Sequence, residues 1–379
     1  TKTVTKNAAL PTLAIDDPLM TDNIVNDAEK TAVVISGTSN AENGQRVALA
    51  ITDGVTTIND TVTVTGGVWT YTADISAMVD GNIDITADVS DLAGNPATQA
   101  TKTVTKDAAL PTLAIDDPLM TDNKVNDAEK TAVVISGTSN AENGQDVALA
   151  ITDGSTTINA TATVTGGVWT YTADISAMVD GNIDITADVT NQLGNAATQV
   201  PRILVKDATL PTLAIDDPLM TDNLVNDAEK TAFVISGTSN AENNETVTLT
   251  ITGSTTMNAF ATVTDGSWQT GGIDISALTD GNIAITADVF DLADNPATQA
   301  TKTVTKDATL PTLAIDDPLM TDNIVNDAEK SAVVISGTTN AEDGQIVTLI
   351  ITDGSTPPNS ITENPTVTGG AWTYTANMS

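Results

Sequence analysis

Leu10-Pro-Thr-Leu-Ala-Ile-Asp-Asp-Pro-Leu-Met-Thr-Asp-Asn23 recurs unchanged from Leu110, Leu210 and Leu310, a period of 100 residues. Around it the copies stay close: residues 1–50 and 101–150 differ only at Asn7/Asp107, Ile24/Lys124 and Arg46/Asp146. A period this long is beyond solenoid repeats and fits one independent domain per copy. The expected division is an unpaired strand and linker over 1–10, then units at 11–106, 107–206, 207–306 and 307–379, the last incomplete.

Within one period the extended signals are short and closely spaced. Thr12–Ile15, Thr31–Gly37, Val47–Thr52, Thr61–Val64, Val68–Ala73, Asn82–Val89 and Ala97–Lys106 read as strands A to G. Asn82–Val89 sets Ile83, Ile85, Ala87 and Val89 against Asp84, Thr86 and Asp88, the period-two pattern of a half-buried strand. Asp53-Gly54 and Gly66-Gly67 are turn signals between such runs. No segment keeps a helical period. About seven antiparallel strands per 100 residues predict an all-β chain of immunoglobulin-like sandwiches, set end to end in a rod.

Composition narrows the function. There are 50 acidic residues against 14 basic ones, no His and no Cys, for a net charge of −36. That field repels nucleic acid. Absent Cys leaves no disulfide, thiolate chemistry or Cys-based zinc site, and absent His removes the usual acid–base partner. Asp16-Asp17 is a carboxylate pair with no triad or phosphate loop around it. Tiling one site four times suits a spacer and not an enzyme. No apolar run approaches 18 residues, so no membrane-spanning helix is expected. The chain does not open on a charged-then-apolar leader.

Each unit has one Trp, at 69, 169, 268 and 372; Tyr71, Tyr171 and Tyr374 follow two residues later in three of them. The pair reads as the anchor of an aromatic-poor core or, alternatively, as a sugar-stacking platform. The joint Asp107-Ala-Ala-Leu-Pro111 is short, and its Pro biases Leu110 toward extended backbone, which restricts swing.

The carboxylates are clustered. The A–B connection holds Asp16, Asp17, Asp22, Asn26, Asp27 and Glu29, with copies at Asp116, Asp117, Asp122 and Glu129, at Asp216, Asp217, Asp222 and Glu229, and at Asp316, Asp317, Asp322 and Glu329. The F–G turn supplies Asp91 and Asn95, and the joints supply Asp107, Asp207 and Asp307. Stacking of domains is expected to bring Asp91, Asn95 and Asp107 toward the following unit. Oxygen ligands of this kind suit Ca²⁺, which takes six to eight, over Mg²⁺ with its tight octahedron or zinc with its N and S ligands. Asp80-Gly81 and Asp91…Asn95 also read as turn formers with no ligand.

Asp91-Leu-Ala-Gly-Asn95, the joint Asp before Pro, and Ile35-Ser-Gly-Thr38 resemble bacterial Ig-like repeats, and in particular the extender repeats of giant RTX adhesins, among them the repetitive region of a bacterial ice-binding adhesin. The resemblance covers essentially the whole chain. It implies a Ca²⁺-rigidified, non-catalytic spacer, a monomeric rod whose contacts are calcium and neighbouring repeats. Such a spacer projects a ligand-binding tip from a bacterial surface and is exported without a cleaved N-terminal signal. It implies ion ligands at Asp91, Asn95 and Asp107 and at Asp291, Asn295 and Asp307. The second unit departs from the pattern: Asn191 stands opposite Asn195 where a carboxylate is expected, which implies weaker binding. Asp294 replaces the Gly of the third. The competing readings are an array that itself grips carbohydrate, ice or another cell, and a surface-layer component.

Overall fold

In a computed structural model describing Thr1–Ser379, the first repeat has eight strands: β1 Leu13–Ile15, β2 Ile24–Val25, β3 Val33–Ser39, β4 Arg46–Thr52, β5 Thr57–Thr63, β6 Val68–Ala73, β7 Gly81–Val89 and β8 Ala100–Lys106. They form a three-stranded sheet, β1-β3-β6, and a five-stranded sheet, β2-β8-β7-β4-β5. Residues 113–206 repeat the set as β9–β16 and residues 213–306 as β17–β24, with the same strand orders. The chain is therefore all-β, built of tandem Ig-like sandwiches, and no helix is long and apolar enough to cross a membrane. It forms two compact units, Thr1–Leu210 with Ala293–Asn295, and Pro211–Leu292 with Pro296–Ser379.

Alternation produces the core. In β7, Ile83, Ile85, Ala87 and Val89 point inward and are buried, and Val47, Leu49 and Ile51 of β4 do the same from the neighbouring strand. Trp69, Trp169, Trp268 and Trp372 are each 2% exposed, so they are core anchors and no sugar platform. Truncating such a ring costs about 3–5 kcal/mol. The indole of Trp69 lies against Gly37, where a Cβ would stand 2.1 Å from the Ala14 carbonyl oxygen and 2.5 Å from Trp69 Cζ2. Only glycine fits between strand and ring, which gives the Ile-Ser-Gly-Thr segment its local cause.

Three features depart from the sequence expectation. The A–B connection contains the extra strand β2, whose two residues pair in parallel with Thr105 and Lys106 of β8. Thr1–Leu10 forms no strand. Residues 307–379 hold only β25–β29, in a three-stranded and a two-stranded sheet. There Leu313, Ile315, Ile324 and Val325 are exposed, with no counterpart of β7 and β8 to cover them.

Candidate functional site

The polar residues of the A–B connection are divided among separate local partners. Asp16 accepts from Ser36 Oγ at 2.6 Å. Asp17 pairs with Lys102 of β8 and also accepts from Asn23 Nδ2 at 2.9 Å. These donors hold the Asp17 carboxyl below its ordinary pKa, the Lys102 hydrogen bond foremost. Asp117 meets Arg202 at 2.7 Å, and Asp217 meets Lys302. Asp22, Asp122 and Asp322 accept the backbone N–H two residues on, as does Asp222 from Leu224. Asn26 accepts from Ala28 and Glu29 N–H while Glu29 Oε2 accepts from Asn26 N–H, a reciprocal cap. Glu129, Glu229 and Glu329 repeat it. Asp116, Asp216 and Asp316 repeat the serine bond, and Asp317 keeps Asn323 at 2.7 Å. Nowhere in the chain do three carboxylates gather in an arrangement that would hold a metal ion.

The F–G turn is built around one side chain. Asp91 Oδ1 accepts from Ala93 N–H at 3.0 Å and Asn95 N–H at 2.8 Å. Its other oxygen accepts from Asn95 Nδ2 at 2.8 Å and Asn7 Nδ2 at 3.1 Å. Asp91 is 6% exposed, and these donors, Asn95 first, lower its pKa against the opposing effect of burial. Asn95 Nδ2 also donates to the Asn7 carbonyl at 3.2 Å. The turn thus meets the linker that precedes its own repeat.

That overturns the expected grouping of Asp91, Asn95 and Asp107. The turn opens the path to β8, and Asp107 follows the end of β8, so at about 3.3 Å per residue the seven residues of the strand alone separate them by roughly 20 Å. Asp107 belongs instead with the F–G turn of the second repeat. Asn195, 1% exposed, donates from Nδ2 to the carbonyls of Asp107 at 3.0 Å and Ala109 at 3.2 Å. Its Oδ1 accepts from Asp27 N–H of the first repeat at 2.6 Å. Asn26 Nδ2 reaches the Leu193 carbonyl at 3.2 Å. One carboxamide therefore ties together linker, following turn and preceding A–B connection. Asn295, grouped with the same compact unit, repeats the pattern on the Asp207 carbonyl at 2.8 Å and Asp127 N–H at 2.7 Å. Asp291 is 5% exposed. Asp307 N–H donates to the Val225 carbonyl and its carboxylate accepts from Thr309 N–H at 3.3 Å.

A second fastening at each joint was not anticipated. Lys106, 5% exposed, sends Nζ to Asp80 at 2.6 Å and to the Met78 carbonyl at 2.9 Å. Asp180 takes Lys206 at 2.5 Å and the linker hydroxyl of Thr209 at 2.7 Å. Asp280 takes Lys306 at 2.6 Å, Thr309 Oγ1 at 2.7 Å and Ala308 N–H at 3.1 Å. The Asp280 pKa is driven well down, the lysine bond first. A readable signal existed: Lys106 follows Val104 at period two, placing a cation on a core-facing position that requires a partner.

The family comparison agrees with an Ig-like fold. Residues 67–163 match the bacterial Ig-like domain, group 3. The matched stretch runs from β6 of the first repeat to the end of β13 in the second, just under one period. Among solved structures, this Ig-like array is similar to a tetra-tandem repeat from the extending region of a large adhesion protein, 29% identical over 97% of this chain and 90% of that one, TM-score 0.33. It is also similar to a Ca²⁺-stabilised adhesin described as helping an Antarctic bacterium reach out and bind ice, 23% identical over 97% and 90%, TM-score 0.40. No curated protein matches.

Proposed function

We propose that the chain is a non-catalytic extender segment of a large bacterial cell-surface adhesin, stiffened at its joints by Ca²⁺. The observation that supports this most directly is the Asn195 carboxamide, which fastens the linker carbonyls of Asp107 and Ala109 to Asp27 of the preceding repeat. A spacer gains length from each copy only if its joints resist bending, and this joint has the bonds for that.

Asp27 is already paired with Lys30, and the oxygens left at the same place are the linker carbonyls, the Asp107 side chain and the F–G turn. Oxygen is what a hard cation such as Ca²⁺ takes. Asp107, Asp207 and Asp307, with Asn195 and Asn295, are the residues we assign to it; bound Ca²⁺ would supply charge compensation to a chain of net −36. The A–B carboxylates fit less well, because Asp17 and its copies Asp117 and Asp217 already have Lys or Arg partners.

The test is thermal melting with Ca²⁺ and with excess EDTA, alongside small-angle scattering. At Ca²⁺ of about 100 times the dissociation constant, each site adds roughly 2.7 kcal/mol. Chelation is expected to lower Tm and shorten the maximum particle dimension. An unchanged melt would reject calcium while leaving the extender reading, and lateral oligomers in scattering would reject the extender.

A further inference from the structure

All three Phe residues of the chain lie in the third repeat, at 233, 260 and 290. Phe233 is fully buried and forms a bridge with Ile273, where Val133 of the second repeat faces Ala173. Phe260 is different: it is 64% exposed on β21, Thr256–Thr262, the edge strand of its sheet. By register it occupies the place of Thr161, since Phe260 faces Thr248 as Thr161 faces Ala148.

Phe260 lines an open groove of about 850 Å³ running between β21 and the shortened β22, Ser267–Gln269. The corresponding groove of the second repeat is about 430 Å³ and has no aromatic ring exposed in it. The groove is also lined by Asp216, Ser236, Thr238, Ser267 and Gln269. Asp216 accepts one hydrogen bond from Ser236 Oγ and retains acceptor capacity. The Gln269 carboxamide offers both donors and an acceptor. No Lys or Arg lines the groove.

We propose that this groove binds a neutral saccharide, one pyranose stacking its C–H face on Phe260 while its hydroxyls meet Asp216, Ser267 and Gln269. The volume lies in the range of small-ligand sites, and the lining combines one apolar plate with convergent polar groups. Charge selects the occupant. An anionic glycan or nucleic acid meets a chain of net −36 with no cation to receive it, and a second copy brings the same −36. A neutral polyhydroxyl ligand has neither cost. This assignment is independent of the calcium and extender readings; it gives one repeat a weak grip of its own.

The experiment titrates the full chain, in Ca²⁺ and separately in EDTA, with cellohexaose, maltohexaose and mannohexaose, read by saturation-transfer NMR and calorimetry. At least one sugar is expected to bind in the millimolar range. Phe260→Thr, which installs the residue of the second repeat at an exposed position, should weaken that binding about tenfold without moving the melt. Phe290→Thr removes the other exposed ring, which lies outside the groove, and should leave affinity unchanged. Absence of binding to all three sugars overturns the proposal, as does equal affinity in Phe260→Thr or equal loss in both variants. Sedimentation showing dimers that vanish in Phe260→Thr would also overturn it and assign the groove to a second copy.

Discussion

The F–G turns of the first and second repeats share one backbone and differ in one atom type. In both, a side-chain oxygen at the first position accepts from the N–H groups two and four residues on: Asp91 at 3.0 and 2.8 Å, Asn191 at 3.1 and 2.9 Å. The second side-chain atom is where they part. Asp91 receives the carboxamide of Asn95, so that amide is shared between its own turn and the linker. Asn191 donates instead, to the Ala109 carbonyl at 3.4 Å, and Asn195 is released to spend its whole amide on two linker carbonyls. The turn needs only one acceptor. The other atom sets whether the joint is held by a carboxylate or by amides.

The strongest way to break the comparison is Asn195→Ala. It strands the Asp27 N–H and two linker carbonyls, and should cost about 2–3 kcal/mol in urea unfolding, with little change at the turn itself. Asn191→Asp makes the second turn resemble the first; added ligand charge should lower the half-saturating Ca²⁺ of that joint about tenfold, read by calorimetry. Asp91→Asn runs the opposite way and is sharpened by pH. The Asp91 pKa is below its unfolded value, so its stabilisation is complete above about pH 4 and is lost as pH falls through the folded value. The urea midpoint of the parent should drop more between pH 7 and pH 3 than that of Asp91→Asn. Smallest is Ala109→Thr, which supplies the hydroxyl that Thr209 gives to Asp180 and should add about 0.5–1 kcal/mol through Asp80.

The fold could be read in the sequence because its determinants are local. Alternation in Asn82–Val89 and Val47–Thr52 marks faces directly, and β7 and β4 lie within a residue of those spans. The two-residue β2 is not legible, since Ile24 and Val25 acquire strand character only from β8, 81 residues away. The site was half legible for the same reason. Asp107, Asn195 and Asp27 could be named as oxygen donors from composition, but which turn meets which linker depends on the end of the sandwich where each loop emerges. Placing Asp91 with Asp107 ignored the length of β8 between them. Lys106 belongs to no motif, and only its inward phase demands a partner such as Asp80.

The parallel pairing of β2 with β8 has a consequence for load. Tension applied along the chain would enter each of the first three sandwiches on the N-terminal side of β2 or its copy and leave past the C-terminal end of β8 or its copy. Two parallel strands drawn from opposite ends slide along one another. The bonds from Thr105 N–H to Asn23 O at 2.9 Å and from Asp107 N–H to Val25 O at 3.0 Å are therefore strained in shear, together. They do not unzip singly. Units of this kind under tension would yield by the failure of whole clasps.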